Sequence, residues 1–581
     1  MESSRNLRLN RRTVLGAGTA LIAAGAAASA ARAADAVQGG VAQVAQAASA
    51  PAAAATPAAS RVPAGLAGGT SGDIFAVVET NSGKVQGIIN AGIHAFKGIP
   101  YGAPTGGKNR WMPPQKPLAW KGVRSAIGLQ PICPQTQADL RADYAMMIQW
   151  DCHVGPGGMD EDVLHLNVWT PGVNDGGKRP VLVSFHGGGY TTGSGNFPGY
   201  DGAQLAKFGN VVVVTVTHRL ASYGYLNLVD AGAPAEFAHA GVCGIMDLVA
   251  SLEWVRDNIE RFGGDPSRVM IFGQSGGGAK TSVMLGNPAA KGLFHRAAVQ
   301  SGSALKLATR EDSARMASAL LKKLDISPKN VKALQGVPWQ EILQAQNAVA
   351  PTVGGQFGPV LDGTYFPHHP FDPVAPAESA DVPVIISTMM EDAALRLTNW
   401  DLDEAGLKKV VGGRYGVDKA DQIVAMYRKA WPNKSPYSVQ AQIFTDSGFR
   451  RSAYAQGERK SALGKAPAYM YLWEWPSPGF GGKFGAIHGI DVSASFYNVR
   501  DPIVGVGNPE GIQMCKRLAT TWCTFAATGD PNNAEVPHWP AYDATNRSTM
   551  IFDSTMRVEN DPRGEMRNFW ASMPPASGPA G

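Results

Sequence analysis

Val269-Met270-Ile271-Phe272-Gly273-Gln274-Ser275-Gly276-Gly277-Gly278 is an apolar run that breaks abruptly into glycine and serine. Such a run bounded by glycine reads as a buried strand. Its last part, Gly273 to Gly277, matches G-x-S-x-G, the pattern of a sharp strand-to-helix turn with serine at its apex. Glycines two residues either side leave room for that turn, and residues 279–285 suit a helix whose free N–H groups would point at Ser275. Ser275 is therefore the candidate nucleophile. A phosphate loop is the rival, because the segment continues Gly278-Ala279-Lys280-Thr281. That pattern needs glycine directly before the lysine and again five residues earlier, where this chain has Ala279 and Gln274.

Upstream, residues 164–169, 180–185 and 211–216 are apolar runs, and Leu248, Leu252, Val255 and Ile259 recur at helical spacing. Strand, helix and strand again predict an α/β fold with a mostly parallel sheet covered on both faces. His186-Gly187-Gly188-Gly189-Tyr190 comes directly after the second run. Three glycines at a strand end aim successive N–H groups inward, and ahead of an elbow serine this is where oxyanion donors belong. Gly188, Gly189 and Gly276 are the candidate donors, each worth on the order of 3 kcal/mol in a transition state.

Several stretches in order carry a family resemblance: Glu161-Asp162-Val163-Leu164-His165-Leu166-Asn167, the glycine loop, Asn258-Ile259-Glu260-Arg261-Phe262-Gly263-Gly264-Asp265-Pro266, the elbow and Gln300-Ser301-Gly302. Together they resemble the type-B carboxylesterases, from about residue 74 to residue 570. The resemblance implies an α/β-hydrolase fold with long helical excursions, serine esterase chemistry on a small-molecule ester, and no cofactor or metal. An amidase, lactonase or lipase would use the same parts, and a non-catalytic binding member of the family is a further reading. Around these stretches the chain departs from the family's pattern. Val163 stands where a cysteine is usual, Gln274 replaces the glutamate before the serine, and Gly276 replaces alanine.

A serine needs a base, and the base an acid. His295, His368, His369, His488 and His538 lie downstream of the serine. His488, in Gly485-Ala486-Ile487-His488-Gly489-Ile490-Asp491, resembles the family's His-Gly-x-Glu motif and is the expected base, with Asp491 supporting its loop. The strand-like run at 382–386 leads to Met389-Met390-Glu391-Asp392-Ala393, where relatives carry Asp-Glu-Gly. Register points to Asp392 as the acid, with Glu391 as the alternative.

Composition bounds the remainder. With 44% hydrophobic and 17% charged residues the chain has ample core material for a globular protein. Its +5 charge is concentrated in the first 33 residues, where five arginines face one glutamate, so neither nucleic acid nor an acidic membrane is an implied partner. Arg11-Arg12 precede an uncharged Ala/Gly-rich run and Ala31-Arg32-Ala33, a twin-arginine export signal by pattern rather than a membrane anchor. The expected organisation is a leader over 1–33 cleaved after Ala33, an Ala/Pro/Gly-rich disordered linker over 34–72, an α/β-hydrolase domain over 73–571 and a tail over 572–581. The mature protein would be periplasmic or secreted, without stable membrane insertion; oligomeric state is left open. Five cysteines leave at least one free thiol, with Cys133 and Cys152 able to pair around one loop and Cys515 and Cys523 too far apart along one helix. Helices are expected over 313–324, 331–345, 407–431 and 443–463.

Overall fold

The computed structural model describes residues 74–136, 157–354 and 357–574. The leader, the whole linker, Cys152 and residues 575–581 lie outside the described residues. Thirteen strands are β1 (Phe75–Thr80), β2 (Gly83–Asn90), β3 (Ile93–Pro100), β4 (Val123–Ser125), β5 (His165–Thr170), β6 (Arg179–Phe185), β7 (Val212–Val216), β8 (Gly264–Gln274), β9 (Arg296–Gln300), β10 (Val384–Met389), β11 (Ala468–Trp473), β12 (Ser548–Phe552) and β13 (Arg557–Asn560). They form one sheet in the order β1-β2-β3-β5-β7-β6-β8-β9-β10-β11-β12-β13, with β4 beside β2. From β7 to β12 every neighbouring pair is parallel, whereas the pairs from β1 through β5 to β7, and β12 with β13, are antiparallel.

Parallel strands require crossovers, and the crossovers cover both faces. Alternate residues accordingly enter two separate cores. Val181, Val183, Val269 and Ile271 pack on one side with Val212 and Val214. Leu182, Met270, Phe272 and Val213 pack on the other. The apolar runs in β6, β7 and β8 are continuous because both faces are dry.

The motif ending in Asn167 acts through its side chain. The Asn167 Oδ1 accepts from the Gly98 N–H at 2.8 Å, and its Nδ2 donates to the Gly195 carbonyl at 3.2 Å and to Thr215 Oγ1 at 3.0 Å. Glu161, preceding it, closes a buried two-pronged pair with Arg110, whose Nε lies 2.6 Å from Glu161 Oε1. Arg110 also donates to the carbonyls of Leu334 and Val337 at 2.8 Å, tying an excursion to the sheet.

Three expected helices are each broken. The segment 331–345 is a 3-10 stretch (Pro328–Gly336) and then a helix (Trp339–Val353), because Pro338 starts a new helix rather than continuing the old one. The segment 407–431 divides at Gly416, whose φ is 104°, into Glu404–Tyr415 and Val417–Ala430. The segment 443–463 carries a π-helical turn, Asp446–Arg450, between two α-helices. The two pieces of 407–431 and the helix before the π-helical turn share a small core of their own, with Leu407, Val411, Ile423, Tyr427, Ile443 and Trp570, whereas Val331, Leu334 and Ile342 join one of the two sheet cores. Cys133 is a free, buried thiol whose Sγ accepts from the Leu220 N–H at 3.2 Å. The expected pairing partner, Cys152, lies outside the described residues. Cys515 and Cys523 are free on the helix Pro509–Thr528. Among the described residues no helix is long and apolar enough to cross a membrane.

The β8 turn is packed to the limit of what glycine permits. A Cβ on Gly277 would lie 2.0 Å from the Phe185 carbonyl oxygen, and one on Gly273 2.4 Å from the same atom. Gly413, exposed on the helix Glu404–Tyr415, has nothing within reach of an added Cβ. Gly277→Ala is expected to destabilise the protein by about 2 kcal/mol or more. Gly413→Ala is expected to stabilise it by about 0.5 kcal/mol. Urea unfolding midpoints of the two variants check both signs.

Candidate active site

Ser275 sits between the end of β8 and the helix Gly276–Leu285 with φ 59° and ψ −123°. A non-glycine residue held there stores on the order of 1–3 kcal/mol of strain. Its N–H donates to the Gln300 carbonyl at the end of β9 at 2.8 Å, and its carbonyl accepts from the Ala279 N–H at 2.9 Å. The residues on both sides of it in the turn are buried, while Ser275 itself is partly exposed.

Beyond β10, fully buried Asp392 places Oδ1 2.6 Å from His488 Nδ1. Its Oδ2 accepts from Ser301 Oγ at 3.0 Å and from the Met389 N–H at 2.9 Å. A carboxylate facing Nδ1 makes that nitrogen the protonated one and leaves the lone pair on Nε2. His488 is 4% exposed, and the Phe449 ring lies 5.2 Å from its own. Phe449 belongs to the π-helical turn, which is clamped by buried Asp446 between Arg450 and Arg563, the latter at 2.6 Å.

Glu391 points elsewhere. Its N–H donates to the Ala486 carbonyl at 3.1 Å, and its Oε2 accepts from the Ala486 N–H at 2.9 Å. Its Oε1 accepts from Gln442 Nε2 at 2.8 Å. Glu391 thus grips the backbone of the loop that carries His488, and the neighbouring Asp392 meets the ring. Asp491 is also fully buried, accepting from Tyr471 Oη at 2.8 Å. Burial first, and the Asp392 charge in addition, push its carboxyl up to about 6 against the hydrogen bonds and the imidazole that favour the anion. Gln300 links this layer together, donating to Ser495 Oγ at 3.0 Å.

The glycine loop leaves β6 with Gly188 at φ 84° and Gly189 at φ 61°, left-handed conformations that suit residues lacking a Cβ. The Gly187 N–H donates to Tyr200 Oη at 2.9 Å, and the Gly188 carbonyl accepts from the Thr192 N–H at 3.1 Å. Gly188 and Gly189 are exposed. A Cβ on Gly276 would lie 2.3 Å from the Gly189 nitrogen, so the loop approaches the elbow more closely than an alanine there would allow. The N–H groups of Gly188, Gly189 and Gly276 make no hydrogen bond among the described residues.

The structure brings Asp392 and His488 into contact, and sets the elbow and the glycine loop backbone to backbone. His295 is half-buried away from this cluster, with Nδ1 accepting from the Val269 N–H at 3.3 Å. His368 pairs with Glu378 and His369 accepts from the Leu307 N–H. Sequence reasoning passed over Ser301, Phe449 and Tyr200. Ser301 lies inside the quoted Gln-Ser-Gly stretch, while Phe449 and Tyr200 carry no local signal. Among the described residues, no group of three or more His, Cys, Asp or Glu side chains is placed to hold a metal.

Comparisons with known proteins identify the family. The carboxylesterase family model matches residues 75–570. The para-nitrobenzyl esterase of Bacillus subtilis (strain 168) is 33% identical over 507 residues, covering 84% of this chain and 97% of that protein. The phenmedipham hydrolase of Pseudarthrobacter oxydans is 30% identical, covering 82% of this chain and 94% of that protein. The crystal structure of a Geobacillus stearothermophilus carboxylesterase superposes with a TM-score of 0.73 at 34% identity, covering 85% of this chain and 99% of that one. With a mostly parallel α/β sheet, and matched over nearly the whole length of these relatives, this chain is a member of the type-B carboxylesterase family of serine hydrolases.

Proposed function

We propose that this chain is an exported carboxylesterase for small-molecule esters, with Ser275 as nucleophile, His488 as general base and Asp392 as the acid that orients it. The observation that carries the residue assignment is the 2.6 Å contact between Asp392 Oδ1 and His488 Nδ1. It fixes the imidazole tautomer in which Nε2 carries the lone pair that accepts a proton. In the proposed cycle His488 Nε2 takes the Ser275 hydroxyl proton as Oγ bonds to the ester carbonyl carbon. The carbonyl oxygen becomes an anion received by the N–H groups of Gly188, Gly189 and Gly276. The imidazolium, stabilised by Asp392, returns the proton to the departing alkoxide, leaving an acyl-serine and a free alcohol. Water then gives its proton to His488 and attacks the acyl carbon. Collapse of the second tetrahedral species releases the acid and restores Ser275.

Glu391 has a different part in this reading. With both carboxylate oxygens hydrogen-bonded, one to the backbone of the His488 loop and one to Gln442, it holds the base in place without touching it. Export is proposed from Arg11-Arg12 and the uncharged run after them.

Hydrolysis of a p-nitrophenyl ester series tests the chemistry. Ser275→Ala and Asp392→Asn should each lower kcat by roughly 10⁴ or more, the second through the wrong imidazole tautomer. Glu391→Gln should cost only about tenfold, because an amide keeps one acceptor for the loop. A loss with Glu391→Gln as large as with Asp392→Asn would move the acid to Glu391. For export, cell fractionation of an Arg11→Lys, Arg12→Lys double variant should find uncleaved precursor inside the cell. Unchanged export of that variant would remove the twin-arginine reading.

A further inference from the structure

Lys280, the residue that would have served a phosphate loop, is fully buried one turn into the helix that begins after Ser275. A lysine in such a place gives up the hydration of its ammonium and needs a compensating partner. Among the described residues its only hydrogen bond is from Nζ to the carbonyl oxygen of His186, at 2.9 Å. His186 is the first residue of the glycine loop. The other side of the same peptide is also held, since the Gly187 N–H donates to Tyr200 Oη at 2.9 Å. The peptide from which Gly188 and Gly189 hang is thus anchored at both its polar atoms, once from the nucleophile helix.

The surroundings of Lys280 are built of lone pairs. His186 and His218 stack with ring centroids 5.0 Å apart. Each donates its Nδ1–H to the carbonyl of the next residue, at 2.8 Å, so each Nε2 is an acceptor. Both Nε2 atoms, and Tyr225 Oη, are buried without a hydrogen-bond partner among the described residues. The Tyr190 ring lies 5.9 Å from the ammonium. The charged pair that acts on His218 and Tyr225, Arg219 with Asp247 at 2.6 Å, is neutral in sum. Burial and the Lys280 charge hold both imidazoles in the neutral form, and burial brings the Lys280 ammonium down to about 7.

We propose that Lys280 is a positioning residue of the oxyanion loop, fixing the His186–Gly187 peptide and setting a positive charge behind the N–H groups that receive the oxyanion. This rests on the esterase reading above. A purely structural lysine would be replaceable by a neutral side chain of similar length, and the effect of replacing it would not track its charge. A positioning cation loses part of its effect as it deprotonates. Raising the pH through about 7 therefore weakens the wild type relative to a variant without the charge.

Lys280→Met and Lys280→Gln are compared with wild type on a p-nitrophenyl ester between pH 6 and 9, with kcat and KM resolved. Hydrogen–deuterium exchange of the 186–193 loop is measured alongside. Lys280→Met should lower kcat by about tenfold at pH 6, with KM within about threefold, a deficit smaller than loss of a direct oxyanion donor. The ratio of wild-type to variant kcat should shrink as pH rises past 7. Exchange in the 186–193 loop should be faster in Lys280→Met. Lys280→Gln, which keeps a neutral donor, should restore slow exchange and part of kcat. A kcat ratio that is unity, or the same at every pH, overturns the proposal. Exchange unchanged in Lys280→Met overturns it as well, and that readout needs no ester turnover. If wild type and Ser275→Ala are both inert, it is the esterase reading that fails, and loop exchange alone then decides whether Lys280 positions the loop.

Discussion

One carbonyl group, that of Phe185, sits where two side chains would otherwise be. It closes on Gly273 and Gly277 at distances that exclude any Cβ, so β6, β8 and the helix after the elbow meet through bare backbone. The same carbonyl ends the strand from which the glycine loop departs. Turn and loop are consequently referred to a single atom. The unfavourable φ of Ser275 persists because the strands on both sides are buried in two cores, whose combined apolar contacts far exceed a strain of a few kcal/mol.

Around this fixed point, the site is assembled by elements far apart in the chain. Asp392 and His488 are separated by 96 residues, and Asp392 and Ser301 by 91. Each arrives at the C-terminal end of a parallel strand or in the loop beyond it, as expected of an open α/β sheet. The bridge between Glu391 and Ile487 is what turns two adjacent carboxylates to different tasks. One accepts from a backbone N–H and a side-chain amide, the other faces an imidazole.

Legibility in the sequence depended on the range of the forces involved. The elbow, the glycine loop and the fully buried strands were readable because their requirements are local: absent Cβ atoms, and uninterrupted apolar residues where a strand is dry on both faces. The breaks at Pro338 and Gly416 are equally local, since proline and a left-handed glycine each announce a boundary. The π-helical turn at Asp446–Arg450 could not be read from its own residues. It is held by Arg563, 117 positions away. Ser301 and Phe449 are of the same kind, since only closure of the sheet and the excursions places them against Asp392 and His488. The adjacent acids Glu391 and Asp392 were inseparable by residue type, because what distinguishes them is the direction in which the β10 loop turns each side chain.

The dispersal of the site along the sheet has a practical side. On the proposed assignment, a reagent that labels Ser275 needs the imidazole and the glycine loop in place with it, and these are fixed only when β6, β8, β9, β10 and β11 are all paired. A count of labelled molecules is therefore a census of completed sheets. Chains that stop short of residue 488, or that pair their strands out of register, remain unlabelled however much helix they contain.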